Sequence, residues 1–205
     1  MIYNLFPTPV SQTTLDFDNK KILGIVDNLP HIRYNSDNST TAAISHELLN
    51  FEELKDLKTS ILSEAKKFIF DDIGFCPGID LYIASSWFNI HHRGDFSREH
   101  THPNSFYSGV YYVDLPEGDS GDFYFMKMHD TACTATISPD VMYPNNYNSL
   151  RVVMDTKPGT LLMFPSHVWH GVTNNNTDHR RVTIAFNIFV RGLVSGLSTK
   201  YLELR

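Results

Sequence analysis

Hydrophobic positions follow two different periods along the chain. Over residues 51–72, Leu54, Leu57, Ile61, Leu62, Ala65, Phe68 and Ile69 recur at steps of three and four, the spacing that gathers apolar side chains on one face of a helix. Gly74 and Pro77 follow and end it. A shorter helix is predicted over 17–27, opened by Asp16 or Asp18 and closed by Asp27-Asn28-Leu29-Pro30. Residues 34–46, rich in Ser, Thr and Asn, read as an exposed loop. After Gly78 the period shortens. Runs rich in β-branched and aromatic residues alternate with turn residues, predicting strands over 80–91, 106–114, 122–126, 150–155, 160–164 and 181–190. The turns are Pro116-Glu117-Gly118-Asp119, Pro158-Gly159 and Asn174-Asn175-Asn176-Thr177-Asp178. Many short strands behind a helical layer imply a mainly β fold, a barrel or sandwich braced on one side by helices. The polar stretch 127–149 has the length of a lid or binding loop.

Composition narrows this picture. The chain of 205 residues is 41% hydrophobic and 13% aromatic, enough for one real core, and the aromatics suit pleated surfaces. One domain is expected over 1–205, with helical and loop support over 1–78, a β core over 79–190 and a tail over 191–205. A formal net charge of -6 without a basic block leaves no electrostatic footprint for nonspecific nucleic-acid binding. Cys76 and Cys133 lie far apart and read as two free, buried or half-buried thiols. The N-terminus lacks the basic start and apolar run of a signal peptide, and no stretch approaches ~18 apolar residues, so a cytoplasmic protein without a membrane span is expected. The glycosylation triplets at Asn38 and Asn175 then read as loop sequence.

The chemistry rests on histidines. His31, His46, His91, His92, His129 and His179 read as surface or satisfied core residues. His100-Thr101-His102 is different: on an extended segment, residues two apart point to one side, so both imidazoles converge as a first-row metal requires. Downstream, Pro158-Gly159 opens an apolar strand that Pro165 stops, and His170 emerges a few residues beyond it. His170, in preference to His167, is the candidate third ligand, closing a facial site with open positions. Over 181–189, Val182, Ile184, Phe186 and Ile188 share one face while Arg181, Thr183, Ala185 and Asn187 share the other. The second face turns an arginine into a barrel mouth, where it needs an anionic partner. A guanidinium holds a carboxylate in bidentate fashion, and the Thr183 hydroxyl adds an anchor.

His100-Thr101-His102-Pro103, Tyr107-Ser108-Gly109-Val110-Tyr111-Tyr112-Val113, Gly121-Asp122-Phe123-Tyr124-Phe125, Phe164-Pro165-Ser166, His170-Gly171-Val172 and Arg181 through Asn187 together resemble the iron(II)- and 2-oxoglutarate-dependent dioxygenases. The resemblance is to the prolyl-hydroxylase-like side, and most to a group of bacterial and phage 2OG-Fe(II) oxygenases. It extends to Leu5-Phe6-Pro7-Thr8-Pro9-Val10 and is strongest over 81–190. It implies a double-stranded β-helix (jelly-roll) core, Fe(II) on His100 and His170, and 2-oxoglutarate and O2 as co-substrates. Arg181 would take the far carboxylate of 2-oxoglutarate, assisted by Tyr112 or Thr183. Trp87 and Asn89, on one face of the 80–91 strand, would lie near the metal mouth. Most of that superfamily carries Asp or Glu where this chain has His102; a third neutral imidazole raises the net charge of the site by one. No catalytic acid, base or nucleophile is assigned beyond the metal ligands.

The implied reaction is hydroxylation of a second substrate, a small molecule or a peptide, with release of succinate and CO2. A homodimer is the candidate assembly. Two other readings differ in kind: a cupin-type metal dioxygenase that uses no 2-oxoglutarate, and a non-catalytic jelly-roll binding or structural module. Cupins follow the HxH pair with a glutamate ligand, a place held here by Phe106 and Tyr107.

Overall fold

The computed structural model describes residues 2, 6–33, 40–43, 46–127, 139–145, 147–195 and 201–205. The strands are β1 (Ser11–Thr14), β2 (His31–Arg33), β3 (Thr40–Ala43), β4 (Ile79–His91), β5 (Ser97–His100), β6 (Tyr107–Asp114), β7 (Phe123–Met126), β8 (Arg151–Met154), β9 (Thr160–Pro165), β10 (His170–Val172), β11 (Arg181–Ser195) and β12 (Leu202–Leu204). The helices are α1 (Asn19–Asp27) and α2 (Lys55–Lys66). Asp18 caps α1, its carboxylate accepting from the backbone N–H of Lys20 and Lys21 at 3.1 and 3.2 Å.

Two antiparallel sheets form the core. The larger runs β1-β9-β6-β11-β12, with β4 also paired to β11; the smaller runs β5-β10-β7-β8. Strand alternation sends side chains into two separate apolar layers. Val182, Ile184, Phe186 and Ile188 of β11 join Tyr107, Tyr111 and Val113 of β6 and pack against Leu57, Ile61 and Ala65 of α2 and Ile22 and Val26 of α1. The opposite face of the large sheet, Val110, Tyr112, Leu162 and Phe164, packs on Phe123, Phe125 and Val172 of the small one. This is a jelly-roll sandwich with helices outside the large sheet. Within the large sheet, Gly109 leaves room for its cross-strand neighbours: a Cβ there would stand 2.3 Å from Cζ of Phe186 on β11 and 2.6 Å from the Leu162 carbonyl on β9.

Several expectations need correction. The 51–72 helix is divided into a 3-10 turn (Glu52–Leu54), α2, and a π turn (Lys67–Asp72). The wider π turn carries the adjacent Phe68 and Ile69 both into the core. The N-terminal stretch is not only helix and loop, because β1 pairs with β9 at the edge of the large sheet. Nor is 191–205 a plain tail: β11 runs to Ser195 and β12 folds back on it. Strand β3 lies inside the expected 34–46 loop; residues 34–39 and 44–45 of that loop lie outside the described residues. So do Leu5, His129, Cys133 and most of the expected lid, 128–138 and 146. Cys76 is exposed, not buried. Among the described residues no helix is long and apolar enough to cross a membrane.

Candidate metal centre

His100 ends β5 and His170 begins β10, and the two are direct antiparallel partners. Their ring centroids are 4.4 Å apart. His102 lies beyond the end of β5. Its backbone N–H donates to the Ser166 carbonyl at 2.9 Å, which ties the loop to the end of β9 and swings the ring toward the other two. His100 and His102 approach to 3.1 Å between Nε2 atoms. One ring nitrogen from each of the three histidines lies within 4.8 Å of the others. His167 is not in this group, and Glu99 faces away, accepting from the Tyr124 hydroxyl at 2.8 Å and from Arg151 at 2.7 Å.

The remaining ring nitrogens fix the tautomers. Nδ1–H of His100 donates to the Arg98 carbonyl at 2.7 Å, that of His170 to the Val168 carbonyl at 2.9 Å, and that of His102 to Oδ1 of Asn187 at 2.6 Å. Each Nε2 is left with its lone pair for a metal. Burial, with the charge of His100, pushes His170 down to about 3, and burial also lowers His102. Phe123 stacks on His170 at 5.5 Å and Phe164 meets its edge at 4.6 Å, forming the apolar wall responsible. Three neutral imidazoles with Nε2 lone pairs converging are a suitable donor set for Fe(II).

Asn187 is held in turn. Its Oδ1 also accepts from the Ser108 hydroxyl at 2.8 Å, and its Nδ2 donates to Ser85 Oγ at 3.0 Å. The amide orientation is thereby set and with it the ring of His102. Asn187→Leu, which removes the acceptor, is expected to weaken metal binding by roughly 10–100-fold. Competition titration with a chromophoric chelator measures this; parent-like affinity would show that His102 needs no such support.

The three histidines open on a cavity of about 330 Å³ between the sheets, lined also by Trp87, Asn89, Arg181 and Thr183. Trp87 stacks on His102 at 5.8 Å. Arg181 is 1% exposed. It donates to the Gly121 carbonyl at 3.1 Å and to the Tyr112 hydroxyl at 3.3 Å, while its Nε has no partner. Among the described residues no carboxylate pairs with it, whereas its neighbour Arg180 is paired outside the barrel with Asp27 at 2.5 and 2.9 Å. A buried cation with an unused donor beside a metal-ligand cluster fits a dianionic keto acid. Tyr112 does not line the cavity. It lies fully buried behind the guanidinium, 5.2 Å from ring to Cζ, so it reaches a ligand only through Arg181. Burial raises its hydroxyl above the ordinary range and keeps it neutral.

His91, read from sequence as unremarkable, also lines the cavity. It is the cross-strand partner of Arg181. The signal was present in the alternation that sets Trp87, Asn89 and His91 on one face of β4.

The family described as "Putative 2OG-Fe(II) oxygenase" matches residues 85–187, half of the chain. The chain belongs to this family of iron(II)- and 2-oxoglutarate-dependent oxygenases. Its jelly roll is shared by solved structures of low sequence identity. The non-heme alpha-ketoglutarate-dependent epimerase SnoN from nogalamycin biosynthesis is 12% identical, with a TM-score of 0.64 over 89% of this chain and 78% of that one. HygX from Streptomyces hygroscopicus, with nickel, 2-oxoglutarate and hygromycin B bound, is 10% identical, with a TM-score of 0.60 over 88% and 82%. A Pseudomonas putida prolyl-4-hydroxylase is 14% identical, with a TM-score of 0.53 over 90% and 89%. No curated protein sequence matches the chain. Family membership sets aside the cupin-type reading and the non-catalytic one.

Proposed function

We propose that this oxygenase hydroxylates a C–H bond of a small-molecule or peptide substrate, with His100, His102 and His170 holding Fe(II) and Arg181 and Thr183 holding 2-oxoglutarate. The observation that carries this reading is the partnerless Nε of a fully buried Arg181 in the same cavity as three converging imidazoles. Iron(II), 2-oxoglutarate and O2 together supply the oxidation, in which the keto acid becomes succinate and CO2 and one oxygen atom enters the substrate.

The protein's own part is positional and electrostatic. Val168, Arg98 and Asn187 hold the imidazoles in the ligating tautomer through their oxygens. Arg181, fixed from behind by Tyr112 and Gly121, sets the depth at which a carboxylate comes to rest. Phe123, Phe164 and Val110 exclude water from the inner wall, which strengthens each polar contact there. Trp87 and Asn89, on the large-sheet side of the cavity, are placed to meet the second substrate.

Anaerobic titration of the protein with Fe(II) and then 2-oxoglutarate is expected to produce a weak charge-transfer band in the visible, saturating at one keto acid per iron. On admitting O2, succinate should form and a chelator should stop it. Iron binding with neither the band nor succinate would overturn the proposal.

A further inference from the structure

The end of the cavity occupied by Arg181 holds a second buried polar group that the reading above does not use. His91 is 3% exposed, lines the cavity, and stands directly across from Arg181 in the β4–β11 register. Its Nε2 lies 2.9 Å from Ser97 Oγ, while its Nδ1 is buried with no partner among the described residues. The partnerless Nε of Arg181 and the partnerless Nδ1 of His91 are thus carried by two cross-strand neighbours in one wall. Leaving either atom without a hydrogen bond costs about 1–3 kcal/mol, so two together point to a ligand group that satisfies both.

We propose that His91 is a second binding residue for the far carboxylate of 2-oxoglutarate, its Nδ1–H donating to one carboxylate oxygen while Arg181 donates to the other, with the Ser97 hydroxyl able to donate to Nε2 in the required tautomer. The inference rests on the 2-oxoglutarate reading and adds a second residue, beside Arg181, that sharpens discrimination of diacids from monoacids.

The chemistry is specific about proton placement. If the Ser97 hydroxyl donates to Nε2, the ring proton must sit on Nδ1, which becomes an unused donor on a residue of the cavity wall. The opposite tautomer would put a lone pair against a carboxylate. Ser97 can act either way, so a bound carboxylate selects the first arrangement. His91 is neutral because burial, with the Arg181 charge beside it, pushes it down to about 3. It therefore adds a hydrogen bond without placing a second full cation beside Arg181.

The test compares 2-oxoglutarate with 2-oxopentanoate, the same five-carbon keto acid without the far carboxylate, by calorimetric titration of the Ni(II)-loaded full chain. The parent is expected to prefer the diacid strongly. In His91→Ala the affinity for 2-oxoglutarate should fall about tenfold, the loss of one hydrogen bond to a charged group, while 2-oxopentanoate changes less than about twofold. Ser97→Ala, a milder change at a half-buried position, should shift the same ratio in the same direction. His91→Asn, which keeps an N–H donor at the δ position, should restore most of the preference. Equal weakening of both ligands in His91→Ala would assign His91 a purely structural role. Full diacid preference in both alanine variants would mean that water alone satisfies Nδ1. Either result overturns the proposal and leaves the 2-oxoglutarate reading intact. A parent protein that binds Ni(II) and shows no diacid preference overturns both.

Discussion

Arg181→Met is expected to remove 2-oxoglutarate binding almost entirely while leaving the ligand-free protein at least as stable as the parent. The two effects have one cause. A guanidinium that is 1% exposed and has no carboxylate partner among the described residues has lost most of its hydration without an ionic contact in return. The Gly121 carbonyl and the Tyr112 hydroxyl offset only part of that cost. Methionine fills similar volume without a charge, so the folded state is relieved of it. The same substitution deletes the two charge-assisted hydrogen bonds offered to the keto acid, each worth about 1.5–3 kcal/mol, for an affinity loss on the order of a thousandfold. Thermal unfolding with and without 2-oxoglutarate reads both. Saturating ligand should raise the parent's Tm, because it binds only the folded state, and should leave that of the variant unmoved. A variant that still responds to 2-oxoglutarate, or whose ligand-free Tm drops by several degrees, contradicts this account of Arg181.

Retention of such an arginine makes sense beside the other charges in the cavity. Among the described residues no Asp or Glu lines it. The ligand set is three neutral imidazoles, and their outer partners are two backbone carbonyls and an amide oxygen, also neutral. On the proposed reading a divalent metal here would meet no anion among the described residues, so the charge that balances it, and that balances Arg181, would arrive with the dianionic co-substrate. Asn187 orients a third neutral imidazole, so under the proposed reading the positive charge of the site would be neutralised by the keto acid rather than by the protein.

The parts of this site that could be read from sequence are those with a long regular run. The alternation in 181–189 separates Arg181 and Thr183 from the Ile184–Phe186 layer, and the structure divides the strand in that way. Several of the short strands were not legible. β5, β10 and β12 are three or four residues long, too short to show a period, and β1 at a sheet edge is Ser-Gln-Thr-Thr. The convergence of His100 and His102 was expected from a two-residue strand step, but the strand ends at His100. His102 arrives through a loop anchored on Ser166, an interaction between residues 64 positions apart that no local pattern carries. The alternation of β4 puts His91 on the face of Trp87 and Asn89, but its pairing with Arg181 is set by the β4–β11 register, which the sequence of either strand alone does not specify.

Acid should unfold the metal-free protein well above the pH at which most carboxylates titrate. His91 and His170 are both held neutral, down to about 3, chiefly by burial, against about 6.5 in an unfolded chain. Between those limits the unfolded state binds more protons than the native one, so stability rises with pH and is lost as pH falls. The full contribution is present above pH ~6.5. Below it each histidine removes about 1.4 kcal/mol per pH unit until its folded-state value is reached. Both rings are less than 5% exposed, so solvent screens little of this. Two groups acting over the two units from pH 6.5 to 4.5 remove roughly 5 kcal/mol, comparable with the whole stability of a marginal domain. Asp27, held low by Arg180, and Glu99, held low by the Tyr124 hydroxyl, act in the same direction but only near pH 4 and below. Urea unfolding in the presence of a chelator at half-unit steps from pH 7.5 to 4.5 gives the slope. His91→Asn should remove about half of it. A midpoint that does not move with pH over this range would mean that the two imidazoles are not buried neutral in the metal-free fold.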